Sequence, residues 1–122
     1  MKREIIAIDE RSRLIVPTDS DKIWMSETEL AELFGVIGPT IRAAIKAVYK
    51  SGVLKERETK RYIRLLNGHR IDVYNMEVVA SLAFRLNTRG AAVFRKWLIQ
   101  RATAPTRAVA PIIIQYKEGF IC

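Results

Sequence analysis

With 122 residues, 49% of them hydrophobic, the chain can build one domain with a modest core of its own and is too short for two. Its formal net charge is +8, and its single cysteine, Cys122, excludes an internal disulfide and a cysteine-built zinc cluster. No apolar run approaches the ~20 residues of a membrane span, and the start MKREIIAI leads into acids rather than an apolar signal core. A cytoplasmic location without membrane contact is expected.

The charge is unevenly placed. Residues 1 to 38 hold five Lys/Arg against eight Asp/Glu, a balance of −3, whereas residues 39 to 122 hold sixteen against five, a balance of +11. A basic field of that kind attracts polyanions, nucleic acid first among them, although a merely solvated basic face has the same composition.

In chain order, EIIAIDERSRLIVP carries two apolar runs, Ile5 to Ile8 and Leu14 to Val16, around a polar centre, and Pro17 closes it. This predicts an N-terminal β-hairpin arm over 1–22. After a short extended Ile23-Trp24-Met25, Ser26 stands three residues before Glu29, the capping-box spacing that starts a helix. Leu30, Ala31, Leu33 and Phe34 give that helix a buried side, and Gly35 suits the left-handed residue at its end.

Pro39 then fits the first turn of a second helix. At 100° per residue Ile41, Ala44, Ile45 and Val48 gather on one side. Arg42, Lys46 and Lys50 gather on the other, with Thr40, Ala43 and Ala47 beside them. The helix is expected to stop near Ser51-Gly52, with Val53 and Leu54 packing back toward the core. Ala31, Gly35 and Ile41 have the spacing of a helix-turn-helix, in which a small residue lets the helices touch, a glycine turns the chain and a branched residue locks the second helix.

Two β-prone runs follow in ETKRYIRLLNGHRIDVYN, on either side of Asn67-Gly68. That dipeptide is a strong hairpin signal because a type I′ turn needs positive φ at both central residues. Helix, helix and basic hairpin is the order of a winged helix-turn-helix, here spanning 23–74. Asn75 is a good N-cap for a third helix, MEVVASLAFRL, and AAVFRKWLIQRA forms a fourth, so 75–102 is a helix pair. Phe94 and Trp97 read as core aromatics. The extended tail 103–122 contains a strand at Ile112 to Tyr116, expected to pair with the N-terminal hairpin or with a second subunit. The fold class expected is α+β in a single domain, 1–122.

Chemistry other than binding finds little support. His69 is the lone histidine and follows a turn, no paired carboxylates or glycine-rich phosphate loop occur, and Asp72 and Glu77 flank a helix start where acids are common. No catalytic or metal site, cofactor or small-molecule substrate is expected. A helix-turn-helix places the N-terminal half of its second helix in the major groove. Thr40, Arg42, Ala43 and Lys46 are the expected base readers, Arg42 suited to guanine and Ala43 to a thymine methyl. Lys50 and the wing residues Lys60, Arg61, Arg64, His69 and Arg70 are the expected phosphate contacts. Glu27, Glu29 and Glu32 on the first helix would repel phosphate if they faced it. Trp24, Tyr62 and Tyr74 open the alternative of base stacking on single strands.

IWMSETELAELFGV, YNMEVVASLAFRLNTRG and FRKWL together resemble the RhuM-like proteins. The matching residues are Trp24, Ala31 through Val36, Tyr74, Asn75, Arg85, Asn87, Arg89, Gly90, Phe94, Arg95 and Trp97, over about residues 23 to 102. The resemblance implies a bacterial DNA-binding domain, in the style of phage antirepressor modules and often found with mobile elements. IGPTIRAA replaces the usual Ser/Arg-rich start of the second helix, so base preferences are not carried over, nor is any activity of the region that follows this one in family members. Arg85, Arg89 and Arg95 read either as a second phosphate strip or, for Arg85 with Asn87, as braces at helix ends, the latter favoured. The expectation is thus a sequence-specific duplex DNA binder acting as a homodimeric regulator of transcription; the rival is an adaptor that docks a protein and never touches DNA.

Overall fold

Ser26 fixes the start of the first helix. Its Oγ accepts from the Glu29 N–H at 3.3 Å, and the Glu29 carboxylate accepts from the Ser26 N–H at 2.8 Å, so the capping box is complete. In the computed structural model, which describes residues 2–104, this helix is α1 (Glu27–Phe34). Before it come β1 (Ala7–Ile8), β2 (Leu14–Ile15) and β3 (Trp24–Ser26). After it come α2 (Gly38–Lys50), α3 (Glu56–Thr59), β4 (Lys60–Arg64), β5 (Arg70–Asn75), α4 (Met76–Arg85) and α5 (Arg89–Thr103). The architecture is mixed α+β. The tail strand expected at 112–116, with its pairing, lies outside the described residues.

β1 and β2 pair antiparallel as a very short hairpin, with Asp9 accepting from the N–H groups of Arg11 and Arg13 in the turn. The arm is tied to the rest by its first residues. Glu4 bridges Ile23 in parallel, and Arg3 donates to both Glu29 oxygens, Nη2 reaching Oε2 at 2.9 Å, and to the Trp24 carbonyl at 2.9 Å. A second, three-stranded antiparallel sheet has the order β3-β5-β4, with Met25 opposite Tyr74 and Lys60 opposite Tyr74 on its other side. The helices pack on one face of it around Met25, Leu30, Phe34, Ile41, Val79, Leu82 and Phe94, all fully buried.

α1 ends as its glycine predicts, Gly35 taking φ +67°. α2 then begins at Gly38, with Pro39 in its first turn, and runs to Lys50. α4 is capped by Asn75, whose side-chain Oδ1 accepts from the N–H groups of Glu77 and Val78, and α5 by Thr88. α5 starts two residues before its expected beginning and so takes in Gly90. A Cβ at Gly90 would lie 2.4 Å from the Leu33 carbonyl oxygen and 3.0 Å from the Phe34 Cα, so the absence of a side chain lets the start of α5 rest on the last turn of α1. Phe94, one turn on, meets Phe34 edge to face at 6.3 Å and stacks on Trp97 at 5.7 Å.

Several expectations are corrected. Val53 is 80% exposed and does not return to the core, while Leu54 does. The β4–β5 loop is longer than a two-residue turn. Gly68 donates to Leu65 O at 2.9 Å, Leu65 donates to His69 O at 2.7 Å, and only Gly68 of this loop has positive φ, at +86°. A type I′ turn is therefore not formed, and glycine instead closes a loop of the bulged kind. The strand expected from Glu58 starts at Lys60 because residues 56–59 form the short α3, held by Thr59, whose hydroxyl bonds Lys55 O and Tyr49 Oη.

Gly90→Ala is expected to cost about 1–3 kcal/mol, the usual penalty of overpacking, in chemical denaturation; an unchanged midpoint would show that the helix contact yields freely. The Glu29 carboxyl sits below its ordinary 4.5, because burial, which opposes its charge, is outweighed by hydrogen bonds from Arg3 and Ser26. Its contribution to stability is accordingly complete above pH 4.5 and lost as pH falls through the lower folded value. Glu29→Gln should cost about 1–2 kcal/mol near neutrality, the deficit shrinking in acid. Urea titrations near pH 7 and near pH 3 measure it, and equal deficits at both would contradict the assignment.

Candidate nucleic-acid interface

α2 divides as its periodicity dictates. Ile41, Ala44, Ile45 and Val48 are buried against α1 and α4, whereas Thr40, Arg42, Ala43, Lys46 and Lys50 are exposed. No acidic residue lies in α2, so the exposed side is cationic throughout. The expected readers are thus all accessible, Thr40 nearest the helix start and Lys46 farthest along, with the expected phosphate contact Lys50 at the far end.

Arg42 does not stand alone on that face. Its Nε donates to Glu27 Oε1 at 3.2 Å across the helix pair. This settles the placement of the three acids of α1. Glu27 is paired with Arg42 and Glu29 with Arg3, while Glu32 lies on the opposite side of α1 from Glu27, beside Glu29 and a small cleft lined by Ile5–Ile8.

The hairpin cations do not all point the same way. Strand alternation puts Lys60, Tyr62 and Arg64, with their partners Tyr74, Asp72 and Arg70, on one face, and Arg61 with Val73 on the other. Arg61 covers the Trp24 ring at 4.4 Å. Lys60 lies 3.0 Å from Glu56 and 3.5 Å from Asp72, and the hydrogen bond it donates to Glu56 holds its ammonium above the ordinary lysine value. Its charge is spent inside the molecule. Arg64 and Arg70 stand directly opposite one another, a like-charge pair that a sheet disfavours. Arg70 leans along the strand onto the Tyr62 ring at 3.9 Å, and no ion pair among the described residues holds either arginine. His69 is exposed in the loop beside them.

The aromatics proposed for stacking are mostly occupied. Trp24 is buried under Arg61, and Tyr74 is buried against Tyr49, its phenol pushed up to about 12 mainly by burial. Only Tyr62 is accessible, and Arg70 lies over it. A shallow concavity between α3 and the hairpin, whose lining includes the acids Glu56 and Asp72 as well as Lys60, Tyr62 and Arg70, adds Lys55 and Arg57, two cations that periodicity did not single out. Lys55 is the N-cap of α3 and Arg57 lies on it, a single turn too short for a periodic signal. Among the described residues no three His, Cys, Asp or Glu side chains gather as a metal ion requires. No helix among them is long and apolar enough to cross a membrane.

The second arginine group divides too. Arg95 Nη1 donates to Ala83 O at 2.6 Å and Leu86 O at 2.8 Å, closing the end of α4. Arg89 reaches Ser12 Oγ at 3.2 Å. Arg85 and Asn87, which the sequence favoured as braces, are exposed, and Arg95 does that work instead. Compared with family models, with curated proteins and with solved structures, the chain matches none.

Arg95→Met should lower stability by about 1–3 kcal/mol in thermal or urea unfolding, because the Ala83 and Leu86 carbonyls lose their donor. An unchanged unfolding midpoint would show that the end of α4 does not depend on Arg95.

Proposed function

We propose that the chain is a winged helix-turn-helix protein that binds duplex DNA sequence-specifically and regulates transcription from the cytoplasm. The observation that carries this reading is the surface of α2: apolar side held on α1 after a left-handed glycine, cationic side accessible along its length. The sheet order β3-β5-β4 supports it, because the hairpin that follows the helix pair is the element that serves as a wing in this architecture. The likeness to RhuM-like DNA-binding domains in residues 23 to 102 points the same way.

In the proposed mode the start of α2 enters the ~12 Å wide major groove. Arg42 meets guanine O6 and N7, Thr40 and Ala43 meet neighbouring bases, and Lys46 extends the contact toward the backbone. Lys50, Arg64 and Arg70 neutralise phosphate, and His69 contacts it. Lys60 and Arg61 drop out of the phosphate set, because Glu56, Asp72 and the Trp24 ring already engage them. One such module offers a small footprint, so a two-fold pair reading half-sites about one helical turn apart is the economical assembly.

Arg42→Ala should weaken a preferred site by about 1–3 kcal/mol and relax its sequence preference, whereas Lys50→Ala should weaken all duplexes alike and reduce the salt slope by about one. Selection of bound sequences from random duplex supplies the site, and titrations between low and moderate salt supply the slope. An affinity indifferent to salt would favour the adaptor reading and overturn this one.

A further inference from the structure

We infer that Glu27 is a positioning residue that sets the sequence specificity of the α2 surface by fixing how Arg42 is presented. The inference rests on the DNA-binding reading above and adds to it a residue from outside the second helix.

Three observations carry it. The Glu27 carboxylate takes the Nε of Arg42 at 3.2 Å, and among the described residues the two terminal nitrogens make no hydrogen bond. The guanidinium lies back along α2, with Nη2 3.7 Å from where a Cβ of Gly38 would stand, so it lies over the first residue of the helix and not over its middle. That is the end of a recognition helix that faces base edges. The pair is also partly accessible, with 60% of the Arg42 side chain and 33% of the Glu27 side chain exposed, so the contact is open to solvent and to a ligand.

The chemistry follows from the fork of arginine. A guanidinium held at Nε offers its two terminal N–H₂ groups as a planar pair, the arrangement that spans guanine O6 and N7. Without Glu27 the same side chain is a long exposed cation that meets a phosphate as readily as a base. Glu27 also brings a negative charge near the duplex and so lowers affinity for every sequence. Its effect is therefore to exchange general attraction for discrimination, as repulsive elements in specific interfaces do.

The experiment measures binding of the full chain to its selected duplex and to a scrambled one, for the parent and for Glu27→Gln, Glu27→Asp, Arg42→Ala and the Glu27→Gln/Arg42→Ala double variant. Glu27→Gln is expected to tighten the scrambled duplex and to lower the selected-to-scrambled ratio on the order of five- to tenfold, part of what a bidentate base contact provides. Glu27→Asp keeps the charge at the helix start but is too short to reach Nε, and should lose the ratio without tightening the scrambled duplex. In the Arg42→Ala background Glu27→Gln should change the ratio no further. An Arg42→Ala variant that flattens the preference while both Glu27 variants keep it overturns the inference and leaves the DNA reading standing. A parent with no preference among duplexes overturns both. Circular dichroism of each variant confirms that the helices are intact.

Discussion

The contact of Gly90 with the last turn of α1 is the constraint on which the placement of α2 depends. The end of α1, the Gly35 turn and the start of α2 are consecutive in the chain, so whatever fixes the Leu33 and Phe34 backbone fixes the direction in which α2 leaves. Backbone lies against backbone there, because a side chain at Gly90 would collide with the Leu33 carbonyl. Phe34 and Phe94 then lock the same junction from the core side. The α2 surface is in this sense built by α5, some forty residues further along the chain. The N-terminal arm does the corresponding job at the other end of α1, where Arg3 grips Glu29 and the Trp24 carbonyl.

Local rules made much of this legible from the residues. The capping box at Ser26, the glycine at Gly35, the N-cap at Asn75 and the two faces of α2 each depend on residues within a few positions of one another. The misses share a different origin. Arg3 and Glu29 are 26 positions apart, Arg42 and Glu27 are 15, and Arg95 reaches carbonyls 9 and 12 positions away. None has a spacing that advertises the bond. Asn67-Gly68 was misleading for a related reason: the dipeptide permits a tight turn, but whether the strands close there depends on the ladder beside it, and here Leu65 and His69 close it instead. Gly90 fell outside the expected fourth helix, because a glycine needed for close approach cannot be told from a helix breaker without its neighbour in space.

The uneven charge seen along the chain also changes meaning once folded. A balance of +11 over residues 39–122 overstates the outward field, since Lys60 faces two acids, Arg61 lies on Trp24 and Arg95 serves two carbonyls. Among the described residues the outward cations are spread over several elements, on α2, at the loop end of the hairpin where Arg64 and Arg70 oppose each other, and on α3, α4 and α5. A like-charge pair in a ladder costs the folded protein stability, and an anion between the two arginines would relieve it.

The opposition of an acidic helix to a basic one finds its explanation in the same terms. Placed back to back by the Gly35 turn, the two helices bring Glu27 across to Arg42, so the acid nearest the cationic surface is engaged by one of its members, while Glu29 and Glu32 lie on the other side of α1. Were the three acids there only to complement the helix dipole, Glu27 at the first position would serve equally well pointing into solvent. Its use as an acceptor for Nε, with Nη2 lying over Gly38, ties the charge pattern of the first helix to how the second presents Arg42.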